Sequence, residues 1–154
     1  MRSFWVVVGG ALLSATCAGA PDPPPYHAVA DVKQLMNSLI DPQADEIWDH
    51  SGWIITASGI EERKPKNDEE WLAVMHHAVA VTEAGNLLMM APRARDGDLW
   101  MKYAQELTTA GEMVWRAAEA KDVQQLFDTG GVLYEACLHC HGEYIDAIKS
   151  VNVK

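Results

Sequence analysis

Cys137, Cys140 and His141 stand together near the end of the chain, in the run Cys137-Leu138-His139-Cys140-His141. Two thiols three residues apart, with an imidazole directly after the second, form the attachment signature of c-type haem. On a helix the three side chains share one face, because positions i, i+3 and i+4 are neighbours. Two thioether bonds would fix the porphyrin edge beside that face, and the His141 imidazole would reach the iron as its proximal ligand. The other ring nitrogen of such a histidine needs an acceptor to hold it.

Three other chemistries use similar residues. A zinc site requires a second ligand pair, and the chain has no other C-x-x-C or H-x-x-H, only the adjacent His76-His77. A thioredoxin-type redox pair belongs at a helix start in a βαβ setting, for which the sequence shows no pattern. A disulfide at i,i+3 within a helix is strained and leaves His141 unexplained. No Ser/His/Asp set, phosphate loop or carboxylate pair is present, so the expectation is a cofactor carrier and not an enzyme.

The elements that must position the motif read as helices. Asp31 can cap a first helix in which Val32, Leu35, Met36, Leu39 and Ile40 recur at three- and four-residue intervals. Asp41-Pro42 interrupts that pattern and restarts it through Ile47 and Trp48. Residues 51–67 read as an irregular loop or small hairpin, from Gly52, the β-branched Ile54-Ile55-Thr56 and Ser58-Gly59. Asn67 or Asp68 caps a second helix with Glu69 and Glu70 in its first turn. Its expected face is Leu72, Met75, Val79, Thr82, Asn86 and Met89, widened by Trp71, Val74, Ala78, Val81 and Leu88. A third helix spans about Asp98 to Ala120, with Trp100, Tyr103, Ala104, Leu107, Gly111, Val114 and Ala118 inward. Asp122 caps the last, with Val123, Leu126, Phe127, Leu133, Cys137 and Tyr144 on one side. The expectation is an all-α four-helix bundle whose C-terminal helix attaches the haem, with the loop or hairpin between helices 1 and 2.

The 154 residues suit one domain, and 49% hydrophobic content with six Trp supports a core. With 12 Lys+Arg against 22 Asp+Glu, a net charge of −10 excludes the usual nucleic-acid binder. Residues 1–20 hold one charge, Arg2, then an apolar run from Phe4 to Leu13 and a tail of small residues. That is the pattern of a secretory signal peptide, and its apolar run is too short to span a bilayer. Export to the periplasm is expected, leaving a mature net charge of −11 because only Arg2 is lost. Leu13 to Cys17 resembles a lipobox, so Cys17 is either discarded with the signal or becomes a lipidated N-terminus and membrane anchor. Residues 21–27 hold four prolines and form an extended tether ahead of a domain at 28–154.

Placing the haem motif at the end of the last helix resembles the cytochrome c prime family, the class II c-type cytochromes, including its low-spin members. The resemblance covers about residues 28–150 and rests on Cys137, Cys140, His141 and the aromatic Tyr144 three residues on. Ile145 stands where the family often has Arg, and the first helix offers Lys33 where the family usually has Arg. The resemblance implies one covalent haem c, with Tyr144 packing on it, and a chain often paired as a homodimer. In low-spin members a methionine of the first helix is the distal ligand, which here is Met36. High-spin members leave that site open beneath an apolar residue, here Leu39 or Ile40, and bind small gases such as nitric oxide. Met75, Met89, Met90, His76 and His77 are lesser candidates. The first reading implies single-electron transfer with a redox protein bearing a basic patch, steered by the acidic surface.

Overall fold

Asp31, Asn67 and Asp122 each accept a hydrogen bond from the amide three residues on, and each starts a helix. At Asp31 the bond is reciprocal, since Gln34 Oε1 accepts from the Asp31 amide at 2.9 Å. The computed structural model describes residues 25–145. The export segment 1–20 with Cys17, most of the proline-rich tether and residues 146–154 lie outside the described residues. Within them the chain forms α1 (Val32–Leu35), a π-helical segment (Met36–Ile40), α2 (Asp41–Asp49), β1 (Gly52–Thr56), β2 (Gly59–Arg63), α3 (Asp68–Met89), α4 (Leu99–Glu119) and α5 (Val123–Tyr144). The architecture is mostly helical, with a two-stranded antiparallel sheet. No described helix is long and apolar enough to cross a membrane.

The break expected at Asp41-Pro42 does not occur. Leu35, Met36, Ile40 and Asp41 all keep right-handed helical dihedrals, so α1, the π-segment and α2 run on as one rod. Proline lacks an N–H, and in a regular α-helix its ring would crowd the carbonyl four residues back, here that of Ser38. The chain widens by one residue instead: the Asp41 amide donates to the carbonyl of Met36, five residues back.

The segment after this rod is an ordered hairpin, in register from Gly52↔Arg63 to Thr56↔Gly59. Its two-residue turn is Ala57-Ser58, and Gly59 takes φ +141° there, a conformation that favours glycine. Trp53 packs edge-on against Phe127 at 4.9 Å, and Arg63 pairs with Asp49, fixing the hairpin to α5 and α2.

The first rod packs on α3 and α5, α3 on α4, and α4 on α5. The core face of α3 is Trp71, Val74, Ala78, Val81 and Leu88, the set expected only to widen it, together with Thr82, Ala84 and Gly85, of which Thr82 alone belongs to the expected face. Leu72 and Asn86 of the expected face are exposed. Phe127 is likewise exposed on α5 and covers the hairpin instead of the core. The inward set of α4 holds, except that Tyr103 is half-buried.

Candidate cofactor-attachment site

Asp122 starts α5 by accepting from the Gln125 amide at 3.0 Å, and the helix then runs without interruption to Tyr144. Cys137, Cys140 and His141 therefore lie in its last two turns on one face. That face lines a cavity of about 700 Å³. The first rod contributes Met36, Asn37, Ile40, Ala44 and Trp48 to the lining, and α4 contributes Trp100, Tyr103, Ala104 and Leu107. The volume falls in the range of about 300–1,000 Å³ typical of small-molecule sites.

Both cysteines are free and half-buried. Burial raises the Cys137 thiol, aided by the carboxylate of Asp41. Burial also pushes Cys140 up to about 11, with Cys137 and Glu106 adding to the effect. Both are thus neutral thiols near pH 7, the less reactive form. His141 is half-buried, and among the described residues none hydrogen-bonds its ring, which leaves the nitrogens available to a ligand. His139, between the two cysteines, turns elsewhere: its Nδ1 lies 3.2 Å from Glu106 Oε2, and it does not line the cavity.

The distal candidates separate by position. Met36 lines the cavity, whereas Met75, Met89, Met90, His76 and His77 do not. His77 is instead bonded to Gln43 Oε1 at 2.6 Å, and desolvation lowers its pKa. Of the two apolar alternatives Ile40 lines the cavity and Leu39 does not.

Tyr144 lines the cavity and packs edge-on against Trp100, with ring centroids 5.0 Å apart. Its hydroxyl donates to Asp96 Oδ2. The other Asp96 oxygen accepts from the amides of Asp98 and Trp100, both at 3.0 Å, so Asp96 caps α4 where Asp98 makes no side-chain cap. Trp100 is itself locked, since its indole donates to the Leu88 carbonyl at 2.8 Å. Asp96, Trp48 and Arg95 were not legible as site residues in the sequence; helical periodicity could have found Trp48, which follows Met36, Ile40 and Ala44 at four-residue steps.

These residues fit a flat, largely apolar group held at one edge by two sulfurs and bound from the same helix by an imidazole. Among the described residues no three His, Cys, Asp or Glu side chains converge as a metal-holding set. Compared with protein-family models, curated proteins and solved structures, the chain matches none.

Proposed function

We propose that this chain is a periplasmic monohaem c-type cytochrome of the class II kind, a four-helix bundle that carries single electrons between redox proteins. The observation that supports it is the meeting of Cys137, Cys140, His141 and Met36 on one aromatic-lined cavity. In this reading Cys137 and Cys140 hold haem c through thioethers, and His141 supplies the proximal nitrogen. Met36 supplies the distal sulfur, a ligand choice that raises the reduction potential. Bound haem supplies a one-electron iron centre. Tyr144, Trp100 and Trp48 give the cavity apolar walls that keep water from the centre, and the acidic surface favours a partner with a basic patch. Cys17 would anchor the exported chain if it is lipidated.

The test is mass spectrometry of the protein made with and without haem-maturation machinery. Covalent addition of one haem, lost in the Cys137→Ser/Cys140→Ser double variant, is expected; an unmodified chain overturns the reading. A second reading rests on Ile40, which offers an apolar lid over an open site for a small gas. Met36→Ala separates the two: electron transfer through a low-spin centre requires a methionine–iron absorption band that this variant loses.

A further inference from the structure

The chain has four tyrosines, all within the described residues, and their hydroxyls differ in what stands beside the proton. Tyr26 accepts from the Ala91 amide at 3.1 Å. Tyr103 and Tyr134 line the cavity, and among the described residues their hydroxyls meet no hydrogen-bond partner. Tyr144 alone donates to a carboxylate, at Asp96 Oδ2. The two tryptophans of the cavity wall are held otherwise: Trp48 donates to the Gly130 carbonyl at 3.0 Å, and Trp100 to the Leu88 carbonyl at 2.8 Å. A carbonyl accepts a hydrogen bond but is too weak a base to keep the proton, whereas a carboxylate keeps it.

The carboxylate is fixed where that proton is. Arg93 Nε donates to the Ala30 carbonyl at 2.9 Å, which ties the α3–α4 connection to the chain just ahead of α1. The connection thereby carries Arg95 to the cavity rim and Asp96 beside it. Asp96 Oδ1 accepts from the amides of Asp98 and Trp100 at the start of α4, which orients the group and favours its charged form. Oδ2 is left to Tyr144. The Tyr144 ring in turn stands in an aromatic set, edge-on to Trp100 at 5.0 Å and to Tyr103 at 6.4 Å between centroids. A tyrosine phenol is protonated near pH 7, and losing an electron turns it into a strong acid. Here a base already holds that proton.

We propose that Tyr144 and Asp96 form a proton-coupled oxidation site, where a one-electron oxidant seated in the cavity draws its electron from the Tyr144 phenol as the phenolic proton passes to Asp96 Oδ2. The phenol O–H bond breaks, a carboxylic acid O–H bond forms, and a neutral tyrosyl radical is left. One electron returned by a redox partner reverses the transfer and restores both groups. The oxidant is an iron porphyrin that hydrogen peroxide has oxidised beyond the ferric state. The peroxide takes up two electrons and two protons and leaves as two waters, and Tyr144 gives one of the two electrons back. In naming that oxidant the inference rests on the haem reading above. Trp100, whose indole proton has no base, passes the oxidising equivalent on but does not keep it. The site thus draws oxidation away from the Met36 sulfur and the cavity tryptophans to a residue built to carry it reversibly.

The pair is tested first on the full chain, with the helical content of every variant checked by circular dichroism. Photogenerated ruthenium(III) tris-bipyridine is the oxidant, and the settled radical is read by freeze-quench electron paramagnetic resonance. Tyr144→Phe should remove most of the tyrosyl signal, whereas Tyr26→Phe, Tyr103→Phe and Tyr134→Phe should each leave most of it. Asp96→Asn keeps a hydrogen-bond acceptor and a helix cap but removes the base, so the radical yield should fall severalfold. Radical formation in the wild type should also slow in deuterated water. A signal that survives Tyr144→Phe, or that Asp96→Asn leaves unchanged, overturns the proposal. Protein whose covalent loading has been verified by mass is then treated with hydrogen peroxide in place of ruthenium, and should give the same signal with the same dependence on both residues. A chain that takes up no haem refutes the haem reading, and the ruthenium result still judges the pair. A loaded protein whose peroxide-generated radical is absent, or lies on another residue, overturns the proposal.

Discussion

The seam between α3 and α4 and the cavity bordered by the first rod, α4 and α5 are built from the same amphipathic pattern, yet one closes and the other stays open. Along the seam the helices meet through glycine and threonine. A Cβ on Gly85 would lie 2.8 Å from the Ala104 carbonyl oxygen, and one on Gly111 would lie 2.9 Å from the Thr82 amide nitrogen. Each glycine faces a threonine of the other helix, and the hydroxyls of Thr82 and Thr108 are satisfied by carbonyls within their own helices at 2.8 and 3.1 Å. Around the cavity the facing residues are Trp48, Trp100, Tyr103, Tyr134 and Tyr144, and the first rod is widened by its π-segment. Residue size at the contact sets how closely two helices approach. Small residues there zip the backbones together, and large rings braced against one another hold a space open.

The comparison breaks most sharply at Gly111. Valine there must push against backbone, so Gly111→Val should destabilise the fold by about 3 kcal/mol, read as a drop in the urea midpoint. A loss below about 1 kcal/mol would mean that the seam is looser than its geometry. Ala136, buried on α5 at the cavity wall, is the counterpart. Ala136→Leu has space to enter, so the fold without a bound group should change by about 1 kcal/mol or less, while the covalent haem loading proposed above, read by mass, should fall. If it costs as much stability as the seam variant, the cavity is not open space. Trp100 belongs to both regions, since its ring walls the cavity and its indole satisfies a carbonyl in the last turn of α3. Trp100→Phe leaves that buried carbonyl unpaired and should cost about 1–2 kcal/mol.

How much of this was legible in the sequence follows the range of the interactions. Helix starts at Asp31, Asn67 and Asp122 were readable because a cap is settled within three residues, and the clustering of Cys137, Cys140 and His141 was readable because one helix determines it. The α3 face was misassigned because its apolar residues surround much of the helix; which half is buried depends on α4, whose Gly111 meets Thr82 and whose Thr108 meets Gly85. The rod's continuity through Pro42 was hidden because a π-turn offers an alternative to a break that depends on packing at both ends. Arg95 gave no signal at all, since its place on the rim comes from Arg93 reaching Ala30, 63 residues away.

The smallest expected effect lies where seam and cavity join, at Tyr144 and Asp96. The Tyr144 hydroxyl is the largest cause holding the Asp96 carboxyl below its ordinary value, and the amide of Trp100 is the next. Desolvation, followed by the bond to Asp96, pushes Tyr144 up to about 12. A carboxyl lowered in the folded state contributes stability above its unfolded pKa of about 4 and loses it as pH falls through the folded value. Tyr144→Phe removes the hydroxyl and keeps the ring against Trp100, so Asp96 should titrate higher but still below the ordinary value, because the two amides remain. Carboxyl-carbon NMR of Asp96 reads the shift directly, and the stability difference from wild type should be present at pH 7 and shrink toward pH 3. An unmoved Asp96 titration would mean that the α4 cap alone holds the carboxylate, and that the last turn of α5 is kept beside the cavity by ring packing without help from this hydrogen bond.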